Sequence, residues 1–124
     1  MKFKLIEKGV PNAPTAPKKW YPIAVNAGKF TLKDFAREIA GRSSLTRGDI
    51  ENVLSNFMEE LPTFLKLGMS VQLGEFGTLR LSLSGEGAET PEAFNTESIG
   101  AKVIFTPSTE LRNGLSDVKF ERTE

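Results

Sequence analysis

With neither a cysteine nor a histidine in its 124 residues, the chain has no thiolate nucleophile, no thiolate zinc site, no disulfide framework and no imidazole base. Most enzyme classes are excluded with them. Carboxylates, lysines and serines are left for acid–base work or for an oxygen-ligated Mg²⁺ or Ca²⁺ ion, yet no spacing in the sequence suggests either. The expectation is a protein that is not an enzyme and takes neither cofactor nor metal. What the side chains can do is bind other charges. Sixteen Lys and Arg balance sixteen Asp and Glu, so the chain does not coat nucleic acid by bulk charge. The charges are nonetheless polarised: residues 1–34 carry Lys2, Lys4, Lys8, Lys18, Lys19, Lys29 and Lys33 against Glu7 and Asp34, whereas residues 84–100 carry Glu86, Glu89, Glu92 and Glu97 and no base.

These charges sit on elements that can be read from periodicity. Lys2 to Lys8 alternates as a short strand, three prolines between Val10 and Pro17 break regular structure, and Trp20 to Val25 is a second β-prone run. Thr31-Leu32-Lys33-Asp34 fits a capping box, and Leu32, Phe35, Ala36, Ile39 and Ala40 follow at helical spacing until Gly41. Thr46-Arg47-Gly48-Asp49 repeats the signal. A longer stripe from Ile50 through Val53, Leu54, Phe57, Met58, Leu61 and Leu65 runs to Gly68, with Pro62 as a candidate kink.

From Met69 the apolar period changes from about 3.6 to 2. Val71 and Leu73 precede a break at Gly74-Glu75-Phe76-Gly77, and Leu79, Leu81 and Leu83 then alternate with Arg80, Ser82 and Ser84. Gly85 to Gly100 lacks apolar periodicity and reads as an exposed excursion, Lys102 to Phe105 as a returning strand. Pro107 and Ser108 open a short helix reaching Leu115, and Val118 to Arg122 alternates like a closing strand for the N-terminal one to pair with. The fold class is α+β in one domain. So small a unit buries a modest core, and two helices with one apolar face each need a partner surface, which dimerisation supplies.

Gly74, Phe76, Gly77 and Thr78 at the strand junction, followed at a distance by Phe105, Pro107, Leu111 and Arg112, resemble the bacterial histone-like HU and integration-host-factor family over residues 30–115. The two motifs in this order are more specific than either alone. Residues 1–28 then form an extended leader with short strands, as in extended HU-related variants, and 29–124 the HU-like domain. The resemblance implies an intertwined homodimer with a three-stranded antiparallel sheet and a protruding β-arm, here about 84–102, that wraps and bends double-stranded DNA in the nucleoid with little sequence specificity. It assigns DNA contacts to Gly77, Thr78, Arg80, Lys102 and Arg112. Pro91 stands where the family carries its arm-tip proline wedge, with Phe94 as a rival. Phe76 and Phe105 are core markers.

The chain departs from that pattern in charge. Ala88-Glu89-Thr90-Pro91-Glu92 replaces a basic arm tip, and Ser82 and Ser84 stand where the family often has bases. Lost cations weaken phosphate binding and flatten its salt dependence. Two rivals follow: a histone-like dimer that binds protein instead of DNA, and a winged-helix regulator reading DNA with the helix after Asp49. That helix presents Arg47, Asp49, Glu51, Asn52, Asn56, Glu59 and Glu60 outward, more acid than base. No apolar run approaches a membrane span, and the N-terminus lacks the apolar core of a signal peptide, so a cytoplasmic location without membrane or small-molecule partners is expected.

Overall fold

The computed structural model describes residues 1–9, 12 and 15–123. Two of the expected chain-breaking prolines, Pro11 and Pro14, lie outside the described residues. Two compact units result, one of residues 1–31 and 116–124, the other of residues 32–115. The tail from Ser116, read with the helical domain from sequence, therefore groups with the N-terminal strands.

In the first unit β1 (Lys2–Lys8) pairs antiparallel with β2 (Lys19–Ala24). On its other side it pairs in parallel with β6 (Glu121–Arg122), so β1 is the middle strand of three. The short strands expected in residues 1–28 are thus joined in one sheet with the expected closing strand. Backbone hydrogen bonds from Glu121 N to Met1 O (2.9 Å) and from Thr123 N to Phe3 O (2.8 Å) hold the tail. Alternation sorts the side chains by face. Met1, Phe3, Leu5, Pro22, Ala24 and Phe120 line a single apolar hollow.

The second unit begins with α1 (Leu32–Ala40) and α2 (Arg47–Lys66). The capping box expected for α2 is complete: Asp49 N donates to Thr46 Oγ1 at 3.1 Å, and Thr46 N donates to Asp49 Oδ2 at 3.2 Å. Such a cap satisfies two of the four N–H groups that a helix start leaves without partners. The helix runs one turn beyond Pro62 and ends at Leu67, after which Gly68 takes a left-handed φ of 84°. The two helices pack on each other, and Ala36, Ile50 and Leu65 are the buried apolar side chains among the described residues. The rest of both stripes stays open: Val53 is 60% exposed and Met58 52%, with Ile39 and Phe57 also exposed.

Strands β3 (Val71–Gln72), β4 (Gly77–Ser84) and β5 (Gly100–Pro107) form the expected three-stranded antiparallel sheet, with β4 in the middle. The turn between β3 and β4 is closed by Leu73 N to Gly77 O (2.8 Å) and Phe76 N to Leu73 O (3.0 Å), with Gly74 at φ 55°. The short α3 (Thr109–Gly114) follows β5 with Ser108 as its cap.

The expected arm differs from a continuous ribbon. Ladder pairing ends at Ser84 and Gly100, and residues 85–99 fold into two single 3₁₀ turns, Pro91–Ala93 and Thr96–Ser98. The cause is local: Thr90 Oγ1 accepts from Ala93 N (3.2 Å) and Asn95 Oδ1 from Glu97 N (3.0 Å), while Pro91 has no N–H to offer a ladder.

Candidate functional site

The register of β4 against β5 decides which of the expected contact residues share a surface. Gly77 opposes Pro107, Leu79 opposes Phe105, Leu81 opposes Val103 and Leu83 opposes Ala101, giving one apolar face. The alternate pairs, Thr78 with Thr106, Arg80 with Ile104, Ser82 with Lys102 and Ser84 with Gly100, give the other. Thr78, Arg80 and Lys102 therefore lie on one face, with Arg80 and Lys102 as diagonal neighbours. Diagonal positions in an antiparallel pair are about 7–8 Å apart, far enough for two cations to coexist and for each to meet its own phosphate-like anion. Arg80 and Lys102 are both exposed, and Ile104 between them is half-buried.

Gly77 has a packing task. At φ 149° it is buried, and a Cβ there would stand 2.4 Å from Thr106 O and 2.7 Å from the Phe105 ring. That ring in turn meets Phe76 with centroids 4.7 Å apart, within the range of favourable aromatic pairs. Ser108 completes the junction. Its hydroxyl donates to Glu75 O and accepts from Leu111 N (2.9 Å), while its N–H donates to Phe76 O (3.1 Å). The two glycine-aromatic and proline-leucine motifs are thus one knot that fixes the base of the β4–β5 ribbon and the start of α3.

Arg112 sits in the last turn of α3, apart from the Thr78–Arg80–Lys102 face in sequence but within the same unit. Pro91 belongs to neither group. It begins the first 3₁₀ turn and lines one shallow hollow together with Ala88, Glu89, Thr90 and Phe94, so Pro91 and its rival Phe94 share one patch. Gln72 and Thr106 also fall on the polar face of the sheet, through pairing with Thr78. Sequence reading missed both; fixing the register at Gly77 opposite Pro107 would have placed Thr106, and Gln72 needed the β3–β4 register as well. Among the described residues no three or more acidic side chains cluster as a metal site, and no helix is long and apolar enough to cross a membrane.

The sequence model of a family described as an HU domain fused to wHTH, Ig, or glycine-rich motif matches residues 1–122, leader included. Integration host factor subunit alpha from two Haemophilus influenzae strains is 28% identical over 92 residues, covering 72% of this chain and 96% of the relative. Among solved structures, an Anabaena HU–DNA cocrystal superposes with a TM-score of 0.57 at 15% identity, over 71% of this chain and 99% of that one. A Bacteroides vulgatus protein described as a candidate bacterial DNA-binding protein superposes with a TM-score of 0.63 at 15% identity, over 98% of this chain. This chain spans 47% of that protein, about half its length.

Proposed function

The chain belongs to the family of HU domains fused to wHTH, Ig or glycine-rich motifs, and from that premise we propose that it is an architectural protein that binds and bends double-stranded DNA as a homodimer. The observation that carries the reading is the two-faced sheet of the second unit. One face offers Arg80 and Lys102 as diagonal neighbours with the hydroxyls of Thr78 and Ser82, a set suited to phosphate oxygens. The other carries open apolar surface, including Val103 at 57% exposure, beside helices whose stripes are also open. Fully burying a large apolar side chain contributes about 1.5–3 kcal/mol, and Ile39, Val53, Phe57 and Met58, each already about half covered, offer a fraction of that apiece to a second copy. The HU relative solved from Anabaena is a DNA complex, which supports the same partner here.

In this reading Thr78, Arg80, Lys102 and Arg112 contact the DNA backbone, Gly77 shapes the strand that carries them, and Pro91 with Phe94 forms the apolar patch offered to a base step. Insertion of an apolar wedge costs a few kcal/mol of stacking and is offset by the contact that bent DNA permits. Helix α2 suits a DNA groove badly, since Asp49, Glu51, Glu59 and Glu60 outnumber Arg47 and Lys66. That count speaks against the winged-helix rival.

Gel shift on linear and nicked duplex tests the proposal. Binding is expected to weaken as salt rises, and replacing Lys102 and Arg112 together by alanine is expected to lower affinity on all sequences alike. Absence of binding even at low salt would instead favour a protein-binding scaffold, the reading to which the carboxylates of residues 85–99 point. Sedimentation checks the dimer.

A further inference from the structure

The two units differ in net charge. Residues 1–31 and 116–124 contain eight Lys and Arg against four Asp and Glu, while residues 32–115 contain eight against twelve. The basic excess is not spread over the small sheet. Because β1 and β2 alternate in register, Lys4, Ile6 and Lys8 share a face with Ile23, Tyr21 and Lys19, opposite the face of Phe3, Leu5, Pro22 and Ala24. Lys2 lies on the lysine face too, beside Glu121 of β6.

One pairing on this face is unfavourable as it stands. Lys8 lies directly opposite Lys19, and like charges at directly opposed positions destabilise a sheet. Lys4, Lys8 and Lys19 are all exposed, and among the described residues none of the three forms an ion pair. A sheet that sets two lysines at directly opposed positions, on a side where Glu121 is the only strand carboxylate among the described residues, is arranged to receive an anion. Residues two apart on a strand are about 7 Å apart, and B-DNA presents a charge about every 1.7 Å of its axis, so each ammonium can meet a separate phosphate.

We infer that the lysine face of the small sheet, centred on Lys4, Lys8 and Lys19, is a second contact surface for the phosphate backbone of duplex DNA. The inference rests on the proposed function. It gives the chain a sequence-independent electrostatic grip outside its HU-like unit, which is short of positive charge. Phosphates drawn to this face release counterions and relieve the Lys8–Lys19 repulsion together.

The test is a salt titration of duplex binding by the full chain carrying Lys4→Gln, Lys8→Gln and Lys19→Gln. The slope of log affinity against log salt is expected to fall by roughly two to three, with at least about a tenfold loss at low salt on every sequence. The thermal midpoint is expected to hold or rise, because the opposed charges are gone; a merely structural role for these lysines predicts a drop. The matching Lys→Arg variant should keep the slope. Should the triple variant unfold, as read from far-ultraviolet circular dichroism, the single changes Lys8→Gln and Lys19→Gln carry the test, each reducing the magnitude of the slope by about one. An unchanged slope, in a protein whose Lys102→Ala, Arg112→Ala variant is weakened, overturns this inference and leaves the proposed function standing. A wild-type chain that ignores duplex at low salt but captures phosphatidylserine vesicles through these lysines overturns both.

Discussion

The two ends of the β4–β5 ribbon are built on different principles. At its base, Gly77, Phe76, Phe105, Pro107 and Ser108 interlock through close packing and paired backbone groups, so shape is fixed by contacts between residues some 30 positions apart. At its far end, residues 85–99 are held within their own segment: Thr90 and Asn95 cap their own turns, and Ser98 Oγ accepts from Glu86 N at 3.2 Å across it. The base carries the family motif and the far end carries Glu86, Glu89, Glu92 and Glu97. Architecture and charge are therefore separable in this chain, because the residues that set the strand path are not those that set the field around it.

The strongest way to break that contrast is Gly77→Ala. A Cβ at 2.4 Å from a backbone oxygen, at a φ that disfavours side chains, should destabilise the protein by about 3 kcal/mol, read from denaturant unfolding. A neutral result would mean the base is not interlocked. Next, Ser108→Ala removes both the cap of α3 and the donor to Glu75 O, and a loss of about 1–2 kcal/mol is expected in the same measurement. The far end should respond in binding rather than in stability. Changing Glu86, Glu89, Glu92 and Glu97 to Gln should tighten duplex binding about tenfold at low salt while leaving the unfolding midpoint in place, and binding that stays the same would separate the far end from DNA. The smallest effect is expected for Asn95→Ala. It should raise the amide exchange rate at Glu97 by less than about tenfold and leave the global transition alone, since a locally held turn opens locally.

Much of this was legible in the residues. The capping box at Thr46 and Asp49, the change of apolar period at Met69 and the cap at Ser108 are local signals, and local hydrogen bonding realises two of them atom by atom. The far end was not legible as two capped turns, because Thr90 and Asn95 compete with a ladder over distances that apolar periodicity does not measure. The grouping of Thr78, Arg80 and Lys102 was visible only as separate positions. Their common face depends on the register between strands separated by the whole 85–99 segment, and that is set by the Gly77–Phe105 contact. The lysine side of the small sheet was present as alternation in Lys2 to Lys8, but its opposition to Lys19 needed the β1–β2 pairing.

The parallel pairing of β6 with β1 joins positions about 119 apart, so the entire helical unit is spliced between the pieces of the small sheet. The first two strands alone would be a bare pair, marginal in water, and their sheet gains its third strand only when residues 121–122 dock beside them. Removing Glu121 and Arg122 would leave one side of the central strand unsaturated, ready to recruit another chain edge to edge.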